Sequence, residues 1–124
     1  MKQDVRLSDA ELELMAVLWR KSPLAASEII SAIPGHRDWS ATTVKTMLSR
    51  LVDKGALETR AQGRRFLYCP LVGRDTVAAD QAGRLVDRLF GGRLSPLVAQ
   101  LAARRNLTND DLAELEALVR ELKK

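Results

Sequence analysis

A single cysteine, a single histidine and five aromatic side chains are all that the 124 residues hold of those types. One thiol cannot build a disulfide framework, and its solitude fits a reducing compartment. One Cys with one His cannot close a Cys/His zinc site within one chain. No apolar run approaches the roughly 18 residues of a membrane span, so no membrane insertion is expected. The N-terminus is charged from Lys2 onward and lacks the pattern of a signal peptide, so a cytoplasmic location is expected. No nucleophile–base pair, P-loop or glycine-rich dinucleotide fingerprint stands out. An enzyme is therefore the weakest class, and neither cofactor nor metal is expected.

What the sequence does have is 46% apolar residues, enough for a core, and 20 basic against 16 acidic side chains. Its length suits one domain, or a small domain with an appended oligomerisation segment. The positive excess is confined to the middle third. Residues 1–35 carry four basic and five acidic groups, and residues 75–124 carry eight of each. Residues 36–74 carry eight basic groups against three acidic ones (Asp38, Asp53, Glu58). Such a cluster fits a polyanion-binding surface, because phosphate neutralisation releases counterions. A solvated basic face with no partner is the bland alternative.

Periodicity and punctuation set out the elements. Ser8-Asp9-Ala10-Glu11 is a capping-box pattern, and Leu14, Met15, Leu18 and Trp19 follow at helical spacing, predicting a helix to about Lys21. Ser22-Pro23 breaks it. A short helix is predicted from Ala26 to Ile33, stopped by Pro34-Gly35. Ser40 caps a third helix with Val44, Met47, Leu48, Leu51 and Val52 on its apolar side, ended by Gly55. The period then changes. Ala56–Arg60 and Arg65–Cys69 read as strands of a hairpin joined by Ala61-Gln62-Gly63-Arg64, and Pro70 ends the second. Helical spacing returns from Arg74 to Phe90, from Pro96 to Arg105, and after Thr108.

Three helices and a hairpin over about 65 residues form the order of a winged helix-turn-helix, in which the third helix enters the major groove. The fold class expected is mainly α with a small β-hairpin wing, followed by a helical dimerisation segment. Its domains are expected at 1–73 and 74–124. The polar side of the third helix (residues 41–51) suits double-stranded DNA. Thr42, Thr43, Lys45 and Thr46 are candidates for base contacts, through hydroxyls, threonine methyls and the ammonium group. Ser40 and Arg50, with Arg60, Arg64 and Arg65 of the wing (residues 60–66), are candidates for backbone contacts. Threonines near a helix start cost helicity relative to Ala, Glu or Lys, which weakens the view that they only decorate a solvated face. A winged-helix protein–protein module is the rival from another class, since fold does not fix function.

Other tempting residues have plainer explanations. His36 reads as loop polarity, and Cys69 as a packed strand residue. Asp110, Asp111 and Glu114 need only the helix dipole and no metal ion. Trp19 and Trp39 are expected against the core, Trp39 as a hydrophobic staple before Ser40. Leu85, Leu89, Phe90, Leu97, Val98, Leu101, Leu115, Leu118 and Leu122 form stripes on short helices that cannot bury them alone, so a homodimer interface is expected there.

Several stretches carry a family resemblance: Leu7–Glu11 through Leu18-Trp19, Ala26–Ile29, Trp39–Leu51, Lys54-Gly55, Phe66-Leu67-Tyr68, Leu89–Gly92 and Ser95–Val98. Together they resemble the penicillinase-repressor (BlaI/MecI/CopY) transcriptional regulators over nearly the whole chain. The resemblance implies a homodimeric winged-helix repressor whose base contacts come from positions matching Thr42, Thr43, Lys45 and Thr46. Similar members have arginine at the position of Lys45 and lysine at that of Thr42. Members controlling β-lactamase genes are inactivated by proteolysis downstream of a membrane sensor protease. Their cleaved Asn-Phe bond falls at Gln100-Leu101 here. Copper-responsive members end in Cys-x-Cys, whereas this chain has only Cys69, so thiolate copper sensing is disfavoured.

Overall fold

The computed structural model describes residues 6–35 and 38–124. His36 lies outside the described residues.

Helix α1 spans Asp9–Arg20. The Ser8 hydroxyl accepts from the Glu11 N–H at 3.1 Å, and Glu11 Oε1 accepts from the Ser8 N–H at 2.9 Å. This reciprocal box satisfies two donors that a helix start leaves orphaned. Strand β1 is only Leu24–Ala25, and α2 follows at Ala26–Ala32. Here Glu28 Oε1 accepts from the Ala25 N–H at 2.9 Å. Helix α3 runs Ala41–Asp53, with Ser40 accepting from the Thr43 N–H at 3.1 Å. Its end is a Schellman motif: Ala56 N–H donates to Leu51 O, Gly55 N–H to Val52 O, and Gly55 takes φ 84°. Glycine is needed there because that left-handed conformation is strained for an L side chain.

Strands β2 (Leu57–Gln62) and β3 (Arg65–Pro70) pair antiparallel, with Gln62 opposite Arg65. The turn between them is therefore two residues, Gly63-Arg64, not the four expected, because Ala61 and Gln62 pair with Phe66 and Arg65. Strand β3 also runs through Pro70, which pairs with Leu57. Gly63 has φ 61° and Arg64 has no positive φ, the signature of a type II′ hairpin. The sheet order is β1-β3-β2, with Leu24 opposite Tyr68 and Ala25 opposite Leu67. Sequence pattern marks the Pro23 region only as a helix breaker and does not reveal β1, because two residues have no periodicity to read.

Leu14, Met15, Leu18, Ile29, Val44, Leu48, Leu51 and Leu57 are fully buried and knit α1, α2, α3 and the wing base into one core. Trp19 and Trp39 pack on its edge, as expected. The Trp19 indole N–H also donates to Val72 O at 2.9 Å. Cys69 is half-buried in β3.

Helix α4 spans Arg74–Phe90, α5 Leu94–Arg104 and α6 Asn109–Leu122. The chain separates into two compact units, Met1–Gln81 and Ala82–Lys124, dividing inside α4. The first turns of α4 go with the head because Val77 joins its core and Gln81 Nε2 donates to Leu7 O at 2.8 Å. In the second unit α5 begins two residues before Pro96. That proline falls in the first helical turn, where its missing N–H removes a donor with no intrahelical partner. Thr108 caps α6, and Asp111 reaches back to its N–H at 3.2 Å. Among the described residues, no helix is long and apolar enough to cross a membrane, and no group of three His, Cys, Asp or Glu is placed to hold a metal.

Candidate nucleic-acid interface

Helix α3 is split cleanly by its period. Val44, Met47, Leu48 and Leu51 are buried, while Thr42, Thr43, Lys45, Thr46, Ser49 and Arg50 are all exposed. Thr42, Lys45, Thr46 and Ser49 stand three and four residues apart and so share one row along the exposed side.

The hydroxyls on this side are not equivalent. Ser40 Oγ is committed to its cap and lies 2.9 Å from Thr43 Oγ1, so these two hydroxyls are paired with each other. The Thr46 hydroxyl donates to Thr42 O at 2.9 Å, so its proton is taken while its oxygen can still accept. The side chains of Lys45 and Arg50 have no hydrogen bond or ion pair among the described residues. The exposed face therefore presents two unneutralised cations between short side chains. Cations of that kind meet phosphates and base edges without first breaking internal bonds, whereas the Ser40, Thr43 and Thr46 hydroxyls already hold bonds of their own.

The wing arginines divide in a way the sequence did not reveal. Arg60 Nη2 donates to Glu58 Oε1 at 2.9 Å, and Glu58 holds the Arg60 pKa above its ordinary value. Arg65 Nη2 donates to Gln62 Oε1 at 3.1 Å, and its Nη1 lies 3.7 Å from Glu28 Oε1 on α2. Arg64, at the turn, has no such partner among the described residues. Of the three, it alone is uncommitted. Glu28 is a residue that sequence reasoning passed over; its capping role was legible from its place three residues after Ala25, but its approach to Arg65 was not.

Elsewhere in the head, Glu11 is the one buried charged side chain among the described residues. Burial alone would raise its carboxyl pKa. The Lys54 ammonium at 2.6 Å and the Ser8 N–H outweigh that effect and hold it below its ordinary value. Lys54 Nζ also donates to Arg6 O at 2.9 Å. The C-cap of α3 is thereby tied to the start of α1.

In the second unit, the apolar stripes meet little within the chain. Leu85, Phe90 and Leu97 are half-buried, while Leu89, Val98, Leu101, Leu115, Leu118 and Leu122 are exposed, from 38% at Leu115 to 76% at Leu122. Gln100 and Leu101 are both exposed on α5.

The profile of the penicillinase repressor family matches residues 7–121. The penicillinase repressor of Bacillus licheniformis is 32% identical over 99% of this chain and 96% of its own length. The methicillin resistance regulatory protein MecI of Mammaliicoccus sciuri is 28% identical over 91% of this chain and 92% of its own. Among solved structures, the DNA-binding domain of the repressor BlaI is 42% identical, with TM-score 0.53, over 60% of this chain and 90% of that one. The monomeric form of Bacillus licheniformis BlaI in complex with the blaP half-operator is 40% identical, with TM-score 0.52, over 60% of this chain and 89% of that one. MarR of E. coli in its oxidised form, 21% identical with TM-score 0.53 over 95% of this chain and 76% of that one, shares the fold alone. With a profile match across almost its full length and a relative aligned end to end, this chain belongs to the penicillinase repressor family.

Proposed function

We propose that this chain is a homodimeric transcriptional repressor that seats α3 in the major groove of a palindromic operator and lays its wing on the adjacent backbone. Thr42, Thr43, Lys45 and Thr46 are the base-facing positions. Ser40, Arg50, Arg60, Arg64 and Arg65 line the sugar-phosphate chains, with Arg50 and Arg64 the readiest because no internal partner must be released. The observation that carries the reading is the exposed row of α3, with Lys45 and Arg50 unneutralised beside short hydroxyl side chains. The half-operator complex of a 40% identical relative supports it.

In this reading residues 1–73 are the DNA-binding domain and 74–124 the dimerisation domain. A second copy covers the stripes from Leu85 to Leu122, and two heads on one duplex gain avidity of about 10²–10⁴ over one. Release follows a cut in the C-terminal half at Gln100-Leu101, with a membrane sensor protease acting on the repressor. Selection of genomic fragments by the purified full chain, at stated salt, tests the reading. Enrichment of one two-fold-related sequence is the expected result. Indiscriminate binding, or none, would remove the operator from the proposal.

A further inference from the structure

The hairpin of β2 and β3 parts from the body of the head at the last pair shared with β1, Ala25 opposite Leu67. Beyond it lie the Ala61–Phe66 and Gln62–Arg65 pairs and the Gly63-Arg64 turn, every residue of them exposed. Strand alternation sorts this projecting piece into two faces. On one stand Gln62 and Arg65, hydrogen-bonded to each other. On the other stands Phe66, opposite Ala61, with its side chain 59% exposed.

Phe66 is not among the hydrophobics that pack on the core of the head. Tyr68, two residues inward on the same face, packs on the core, so the face is covered at its base and bare at its tip. Ala61 offers only a methyl group for cross-strand packing. Strand propensity is met as well by threonine or valine, with less apolar surface in water.

We infer that Phe66 is a DNA-contact residue of the wing, its ring entering the minor groove beside the half-site and lying against deoxyribose carbons. The inference rests on the repressor reading above. The occupant follows from charge. Phe66 is two residues from Arg64, whose guanidinium has no partner among the described residues, and the wing lies in the basic third of the chain. An apolar ring beside an unneutralised cation matches a polyanion whose groove walls are sugar carbons. Arg64 takes the phosphate and Phe66 the sugar face, so the wing reads groove shape in addition to charge.

The test uses the full chain, the operator selected by it, and hydroxyl-radical footprinting, which reports on deoxyribose hydrogens in the minor groove. Phe66→Ala is expected to weaken operator binding roughly tenfold, an effect of the size that partial burial of one phenyl ring gives. Its log–log salt slope should be unchanged, since every phosphate stays neutralised as in the parent. Protection of the sugars flanking each half-site should disappear while protection within it persists. Phe66→Leu should restore most of the affinity. Binding and footprint like the parent would overturn the inference. So would a fall in the thermal midpoint with Phe66→Ala, which would make the ring a packing residue, or a fall in sedimenting mass, which would place it at a protein contact. If the parent chain protects no duplex, the repressor reading falls and this inference with it; a protecting parent with an unaltered Phe66→Ala footprint sinks the inference alone.

Discussion

Lys54 Nζ sits 2.6 Å from Glu11 Oε1, joining the residue that closes α3 to the third residue of α1 across 43 positions of chain. Glu11 is 4% exposed, so the pair fixes α3 against the scaffold through a carboxylate that water barely reaches. Removing the ammonium leaves that carboxylate buried with only the Ser8 N–H and so costs about 1–3 kcal/mol. Lys54→Met should lower the thermal midpoint, and Glu11→Gln together with Lys54→Met should recover part of the loss. Equal stability of Lys54→Met and the parent, by thermal or urea unfolding, would contradict this.

The same pair gives a pH dependence with a definite sign. The folded state holds Glu11 below its ordinary value of 4.5, so the unfolded chain binds more protons in the acid range. The stabilisation is complete above the unfolded value and is lost as pH falls through the lower, folded value. Urea midpoints of the parent should therefore drop more steeply below about pH 4.5 than those of Glu11→Gln. Parallel curves would sink the assignment.

On α3, Lys45 and Thr46 stand on the exposed row with different commitments. Lys45→Ala and Thr46→Ala should each weaken operator binding by about 1–3 kcal/mol for each base interaction removed, and random duplex by less. Ser40→Ala should act differently. Its hydroxyl caps the helix, so that variant should lose about 1 kcal/mol of stability as well as affinity. Full discrimination between operator and random duplex by both Lys45→Ala and Thr46→Ala would remove α3 as the reading element.

The wing arginines should separate in a salt titration. Arg64→Ala should flatten the log–log slope by about 0.9, the share of one neutralised phosphate, on every duplex alike. Arg60→Ala should change it less, because Arg60 must first leave Glu58. A larger slope change from Arg60→Ala than from Arg64→Ala would reverse the order given by the ion pairs.

The contrast between Arg64 and Arg65 marks where sequence reading ends. Helix limits were legible because Ser8, Ser40, Gly55 and Thr108 act within a few residues of themselves, and capping chemistry is local. The exposed row of α3 was legible for the same reason, as periodicity alone separates Thr42 and Lys45 from Val44 and Leu48. Three arginine candidates in a basic third could not be ranked, because their partners come from other places. Glu28 reaches Arg65 from α2, and Glu58 reaches Arg60 along β2. Strand β1 was hidden similarly. Leu24 and Ala25 become a strand only because β3 lies beside them.

The exposed leucines of the second unit give the last prediction. Leu118 is 54% exposed and Leu122 76%, a large apolar cost in water that the proposed second copy would remove. Each leucine fully covered contributes about 1.5–3 kcal/mol, so six or more across a two-fold interface outweigh the entropy of association. The full chain should sediment as a dimer, and Leu115→Asp with Leu118→Asp should sediment as a monomer. A 1–81 fragment keeps the whole core of the head, from Leu7 to Val77, and should remain folded and monomeric. On the palindrome both should bind about 10²–10⁴-fold more weakly than the parent, since each head then binds alone. On a single half-site they should match it. A cut at Gln100-Leu101 removes Leu115, Leu118 and Leu122 from the interface at one stroke, so cleaved chain should behave as the fragment does. A monomeric fragment that holds the palindrome as tightly as the full chain would separate dimerisation from operator binding and end that part of the proposal.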